Sequence, residues 1–245
     1  MRNFVTCLEF LTRIRFSQRE QWTKEDFSRS VPYFPLVGLV IGLFLAAVNY
    51  GLIALQAPVL IRATLLLLAE IIITGGLMYD GFMDTADGVF SARDRERMLA
   101  IMKDSCVGAN AVLSVLILVL LKLAVYVEMR PELLTVSFIA MSVATRTFMV
   151  LFIVNFPYAR KEGIGHLFKQ YAKPIYTYIA FTLCAGIIYL CGYQFLLTTV
   201  LTLAVALCCA KFLSAQLGGL TGDTYGALTE TGNILFLLFT VFILH

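Results

Sequence analysis

The stretch Tyr33-Phe-Pro-Leu-Val-Gly38-Leu-Val-Ile-Gly42-Leu-Phe-Leu-Ala-Ala-Val-Asn49-Tyr-Gly-Leu-Ile-Ala-Leu55 contains no charged side chain. As a helix it is long enough to cross the ~30 Å hydrocarbon core of a bilayer. Comparable apolar runs recur at residues 60–79, 107–127, 133–156, 175–192 and 195–217. A last run, 234–244, is short, and spans only if it recruits part of 227–233. The pattern predicts an all-α fold: a polytopic integral membrane bundle of six or seven transmembrane helices, with the lipid bilayer as its partner.

Composition agrees. The 245 residues are 60% hydrophobic and 14% charged, against about 25% charged in soluble domains. So little polar surface cannot cover a soluble fold of this size. This excludes an ordinary water-soluble enzyme, a disordered chain and a nucleic-acid reader, so no nucleic acid is expected as a partner. The six cysteines form no CxxC pair and mostly lie in apolar runs. They read as free thiols acting as small hydrophobes, without a zinc site or disulfide framework.

The first thirty residues are too charged for a secretory signal. Phe4, Leu8, Leu11 and Ile14 recur at helical spacing beside Arg13, Arg15 and Arg19. They read either as an interfacial amphipathic helix or as a basic leader that sets orientation. Thr23 and Asp26 stand at capping-box spacing.

Charge position orients the chain. The leader carries Arg2, Arg13, Arg15, Arg19, Lys24 and Arg29; residues 80–105 carry Arg93, Arg95, Arg97 and Lys103; the loop after Phe156 carries Arg160, Lys161, Lys169 and Lys173. The alternate loops are nearly bare, with Arg62 and Arg130 the main exceptions. By the positive-inside rule the leader and the charged loops face the cytoplasm. Counting on, residues 218–233 fall on the same side.

The densest polar motif is Gly75-Gly76-Leu-Met-Tyr-Asp80-Gly81-Phe-Met-Asp84-Thr-Ala-Asp87-Gly88. If the second span continues as a helix, Asp80, Asp84 and Asp87 project within one narrow arc. Three carboxylates on one face repel one another unless neutralised. A hard divalent cation does this, because Mg²⁺ takes oxygen ligands and substrate phosphates. Gly81, Thr85 and Gly88 form a small-residue stripe beside them, suited to close packing or a bulky ligand. Glu70, deeper in the same span, reads either as an outer-shell partner of that site or as a lone polar group facing the bundle. Asp104 either caps the third span or supplies a fourth carboxylate. Lys103 beside it either meets a phosphate or follows the positive-inside bias.

Other polar residues stand out. Arg146 lies in mid-span and needs a partner there. It reads as an anion clamp or as a structural ion pair, for instance with Glu70. Arg160 and Lys161 sit in a glycine-containing basic loop, with His166 a weak ligand candidate; His245 is only the last residue. Residues 218–230 hold Gly218, Gly219, Gly222 and Gly226 around Asp223. Such a loop can present backbone N–H groups to phosphate, with Asp223 a further metal ligand or base.

Together, acidic, basic and glycine-rich segments on one face suggest metal-assisted chemistry on a phosphorylated substrate. These motifs, in this order along essentially the whole chain, resemble the cobalamin (5′-phosphate) synthase family, also called adenosylcobinamide-GDP ribazoletransferase. The matching residues are Asp80, Asp84, Asp87 and Gly88, then Met102-Lys-Asp104-Ser105, then Tyr158-Ala-Arg160-x-Glu162-Gly163-x-Gly165, then Gly218-Gly219-x-Thr221-Gly222-Asp223-Thr224. Phe10-Leu-Thr-Arg13 and Tyr33-Phe34-Pro35 look like its N-terminal motifs.

The resemblance implies the joining of adenosylcobinamide-GDP to α-ribazole or α-ribazole 5′-phosphate, with GMP released and Mg²⁺ required. It implies Asp80, Asp84, Asp87 and Asp104 as metal ligands. Asp84, Asp87, Asp104 and Asp223 become catalytic candidates, and Arg93, Lys103, Arg146, Arg160 and Gly222 substrate contacts. Residues 1–245 would form a single transmembrane catalytic domain, with 1–30 a cytoplasmic or interfacial segment. The expected location is the bacterial inner membrane, with the site facing the cytoplasm; a homo-oligomer is left open. Three positions depart from the family pattern: Met78 for His, Cys106 for Arg and Asn233 for Glu. Two other readings compete. One is CDP-alcohol phosphotransferase chemistry, whose downstream motif is absent. The other is a cation-coupled transporter, which would place its site near the bilayer midplane.

Overall fold

The computed structural model describes residues 2–16, 24–170 and 172–244. Arg19, Thr23 and His245 lie outside the described residues, as do the side chains of Arg2 and Lys24. The elements are α1 (Arg2–Leu11), α2 (Lys24–Ser30), a 3₁₀ turn (Val31–Tyr33), α3 (Phe34–Ala54), α4 (Val59–Thr74), α5 (Leu77–Phe90) and α6 (Arg95–Ile101). They continue as α7 (Ala109–Glu128), α8 (Pro131–Asn155), α9 (Ile164–Gln170), α10 (Pro174–Cys191), α11 (Phe195–Leu217) and α12 (Gly222–Leu244). Among the described residues there is no strand, only one isolated bridge between Tyr158 and Leu220.

Among the described residues, six helices are long and apolar enough to cross a membrane: α3 with its preceding turn, α7, α8, α10, α11 and α12. The chain is a polytopic helical membrane protein. α4 and α5 pass the same test only as a pair, and a 93° bend divides them. The bend corrects the expected continuous second span. Gly75 and Gly76 both adopt positive φ, at 65° and 73°, a conformation that ends a helix and that glycine adopts without steric cost. α4 and α5 are thus two arms of one sharply bent unit.

α8 is the axis of the bundle and is buried along most of its length. α3 packs on it through Gly38 and Gly42. A Cβ at Gly42 would stand 2.6 Å from the Ile139 Cα, so the two backbones meet as small-residue pairs allow in membranes. At the opposite end Asn49 donates to the Pro131 carbonyl (3.0 Å) and to Thr135 Oγ1 (2.8 Å). There too Arg130 donates to the Leu244 carbonyl at 3.2 Å.

The start of α12 is a second correction. Residues 222–233, expected as loop, are helix and largely buried. Thr221 Oγ1 accepts from the Thr224 N–H (3.2 Å), and Thr224 Oγ1 accepts from the Thr221 N–H (2.8 Å). This reciprocal cap starts the helix at Gly222, so the short terminal run becomes a full span. The leader forms α1, whose Cys7, Leu8 and Leu11 are buried against the bundle. Its apolar stripe is spent on protein contacts. All six cysteines are free.

Candidate active site

Segments distant in sequence meet at one end of the bundle. The Arg13 N–H donates to the Ile73 carbonyl at 2.8 Å, joining the leader to the end of α4. The Ala159 N–H donates to the Leu220 carbonyl and the Leu220 N–H to the Pro157 carbonyl, both at 2.8 Å. Gly219, at φ 144°, lies so close that a Cβ would stand 2.8 Å from the Pro157 carbonyl oxygen. Phe10, Phe27 and Phe34 each meet the Phe168 ring edge-to-face, with centroids 5.1–5.4 Å apart.

α5 enters this end with its small-residue stripe against its neighbours. Gly81 meets the backbone of Asp223, Gly88 meets the Met102 side chain, and Gly226 of α12 lies against Met78 and Gly81. The crossing at Gly81 and Gly226 sets Asp223 beside the acidic face of α5. Burial pushes the Asp84 carboxyl up to about 7; Asp223, Asp80 and Asp87 push the same way, and Arg160 opposes them. These four are therefore its electrostatic neighbours. Arg160 Nη2 stands 2.8 Å from Asp223 Oδ2, one contact of a guanidinium that carries five N–H donors. The guanidinium thus holds Asp223 and keeps donor capacity for an anion.

Asp87 is differently used. Its Oδ2 accepts from the Gly108 N–H at 2.6 Å and its Oδ1 from the Ala111 N–H at 2.9 Å. It caps the N-terminus of α7 from another helix, satisfying donors that the helix start leaves open. A Cβ at Gly108 would stand 2.6 Å from Asp87 Oδ1. Asp104 is exposed and accepts from the Cys106 N–H at 3.0 Å. That bond holds its carboxyl below the usual range. Its oxygen thus serves its own turn. Among the described residues no three Asp, Glu, His or Cys side chains converge as a ready set of metal ligands.

Two cavities flank Asp80. One, about 460 Å³, opens between the leader and the α4–α5 corner and is lined by Arg13, Arg15, Gly75, Gly76 and Asp80. The other, about 240 Å³, lies between α5, α12 and the 158–168 segment, and is lined by Arg160, Gly222, Asp223, Tyr158, Tyr225 and aromatic rings. Phe10, Leu77 and Asp80 are common to both. Arg93 and Lys103 are exposed and line neither cavity.

Arg146 lines neither cavity. It is 2% exposed in the core of the bundle. Its Nη1 donates to Thr145 Oγ1 (3.1 Å) and to Asn233 Oδ1 (3.4 Å). Its ion-pair alternative with Glu70 is not formed either, because Glu70 belongs to Lys122. Lys122 Nζ donates to Glu70 Oε1 (2.8 Å), Glu230 Oε2 (2.5 Å) and the Tyr79 hydroxyl (2.9 Å). The Tyr126 hydroxyl donates to Glu70 Oε2 at 3.1 Å, and Asn233 Nδ2 to Glu230 Oε1 at 3.4 Å. The Glu70, Lys122, Arg146 and Glu230 charges cancel formally. Reading the sequence by motif missed Lys122 and Glu230. Their signal was there: a charge inside an apolar run is costly enough to demand a partner. Asn233, where the family pattern has Glu, bridges Arg146 to Glu230.

Fold and site thus define a membrane-embedded protein with an acidic, arginine-facing centre and two cavities at one end of its helices. The family model of Cobalamin-5-phosphate synthase matches residues 3–241. The chain belongs to that family, and its function is accordingly enzymatic, that of a transferase in cobalamin biosynthesis. Adenosylcobinamide-GDP ribazoletransferase of Clostridium novyi (strain NT) is 35% identical over 97% of this chain and 96% of its own length. The proteins of the same name from Desulfitobacterium hafniense (strain Y51) and Brevibacillus brevis (strain 47) are each 39% identical. The former alignment covers 97% of this chain and 96% of the relative, the latter 98% of both. No solved structure matches the chain.

Proposed function

We propose that the chain joins adenosylcobinamide-GDP to α-ribazole, or its 5′-phosphate, giving adenosylcobalamin or its 5′-phosphate and GMP. The observation that carries this reading is that Asp80, Arg160 and Asp223 line one cavity, with Asp84 electrostatically coupled to all three, in a chain of this family. Two cavities sharing Asp80 suit a reaction between two substrates. Asp223, held by Arg160, accepts the proton of the attacking ribose hydroxyl. The hydroxyl oxygen bonds to the cobinamide-side phosphorus, the bond from that phosphorus to the bridging oxygen breaks, and GMP leaves with the electron pair. Positioning and charge neutralisation supply most of the acceleration in such transfers.

The donor set suits Mg²⁺. It is all oxygen, and the crowding that raises Asp84 is what a divalent cation relieves. Asp80 and Asp84, one turn apart on α5, would hold it, the diphosphate completing the shell, since Mg²⁺ commonly takes one or two carboxylates plus phosphates. When bound, the ion neutralises the diphosphate and the departing GMP phosphate. Arg13, Arg15, Arg93 and Arg160 sit where the positive-inside rule supports a cytoplasmic site in the inner membrane. The transporter reading loses ground because Lys122, Glu70 and Glu230, buried inside the bundle, are paired with one another.

Purified protein given adenosylcobinamide-GDP, α-ribazole and Mg²⁺ is expected to release GMP and form cobalamin in equal amounts. Absence of GMP, or CMP release from a CDP-alcohol instead, would overturn the reading.

A further inference from the structure

The smaller cavity has a composition that the reaction alone does not explain. Its wall is aromatic: Phe34 and Phe168 are 1% and 3% exposed and locked edge-to-face at 5.4 Å. Within that wall Tyr225 is 4% exposed, and its hydroxyl has no hydrogen-bond partner. A buried, unpaired donor costs about 1–3 kcal/mol, so a hydroxyl left in this state beside a cavity is suited to a ligand's acceptor. Arg160 and Asp223 stand on the same cavity, and Arg160 retains donor capacity. The larger cavity carries Arg13 and Arg15 instead, which suits the more highly charged diphosphate substrate.

We infer that the cavity between Tyr225, Phe168 and the Arg160–Asp223 pair is the nucleoside subsite, and that the Tyr225 hydroxyl selects its base. The inference rests on the proposed function for the identity of the nucleoside. The walls suit a flat, apolar ring bearing one hydrogen-bond acceptor, such as an unprotonated ring nitrogen. The benzimidazole of α-ribazole has such a nitrogen, since only one of its two is glycosylated. The ring lies among the phenyl groups, the free nitrogen accepts from Tyr225, and the ribose faces Asp223.

The test uses the full chain in detergent with two nucleosides, α-ribazole and the matching indole riboside, which lacks the acceptor nitrogen. Wild type is expected to bind α-ribazole roughly tenfold more tightly than the indole analogue, as one buried hydrogen bond would give. Tyr225→Phe is expected to lose that preference and raise the KM for α-ribazole roughly tenfold. It should leave the KM for adenosylcobinamide-GDP unchanged, and it should melt as wild type does. Equal binding of both nucleosides by wild type, or a raised KM for adenosylcobinamide-GDP alone, overturns the subsite. Gly165→Ala is a second variant, because its Cβ would stand 2.5 Å from the Tyr158 hydroxyl and push that ring; it is expected to weaken α-ribazole binding. Binding is measured by calorimetry without the corrinoid substrate, so it separates the two claims. A chain that binds α-ribazole with this preference but makes no GMP overturns the proposed reaction and sustains the subsite. A chain that makes GMP without the preference does the reverse.

Discussion

Gly81 on α5 faces the backbone of Asp223 on α12 so closely that a Cβ there would stand 2.7 Å from the Asp223 carbonyl oxygen. The pair sets the distance between the acidic face of α5 and the Arg160-bound carboxylate. Gly81→Ala is expected to force the helices apart. Overpacking of this kind costs about 1–3 kcal/mol, and the misplaced carboxylates lower kcat by about a hundredfold. Thermal melting and GMP release on the same preparation check both effects.

Asp84 and Asp87, one turn apart, are expected to separate stability from activity. Asp84 is crowded by like charges, so Asp84→Asn should leave the melting temperature unchanged or higher while abolishing GMP release. Asp87 caps α7. Asp87→Ala should cost about 0.5–2 kcal/mol and lower the melting temperature. The two variants compared by melting curves decide whether the roles divide in this way.

The buried charges make a third expectation. Lys122→Met leaves Glu70 and Glu230 with Arg146 as the one cation between them, a loss of about 3–5 kcal/mol. The double variant Lys122→Met, Glu70→Gln restores the balance, because Glu230 keeps Arg146 as its counter-charge, and should regain most of that stability. Expression yield and melting in detergent read the difference. Equal damage in both would show that the charge balance is not what matters.

These cases also mark how far the chain could be read before its fold was known. The seven apolar runs and the helical period of Asp80, Asp84 and Asp87 were legible, because both depend on local spacing. The turn at Gly75-Gly76 was not, since a glycine pair is compatible with a continuing helix until backbone angles are known. The start of α12 was hidden for a related reason. Gly222 and Gly226 suggest a loop, and only the Thr221–Thr224 cap reveals the helix. Asp87 and Arg146 look like site residues in sequence. Their contacts with Gly108 and Asn233 are tertiary, so no local spacing announces them. Tyr225 carried no motif, and it gains meaning only from the cavity it lines.

Arg160 and Asp223 carry a fourth expectation. Arg160→Met frees Asp223 from its ion pair and removes the spare donor at the smaller cavity. Loss of a charge-assisted contact of this kind should lower kcat/KM by roughly ten- to a hundredfold. Arg160→Lys should restore part of it, though a point charge replaces the planar fork. Steady-state kinetics on the three proteins test this order.

The central claim is that Asp80, Asp84 and Asp223 form one reaction centre with Arg160. The most direct measurement is single-turnover release of GMP from adenosylcobinamide-GDP in the presence of α-ribazole and Mg²⁺, for wild type, Asp84→Asn and Asp223→Asn. Release is predicted for wild type and not for either variant, with both folded by their melting curves. Release from Asp84→Asn and Asp223→Asn at the wild-type rate would contradict the account.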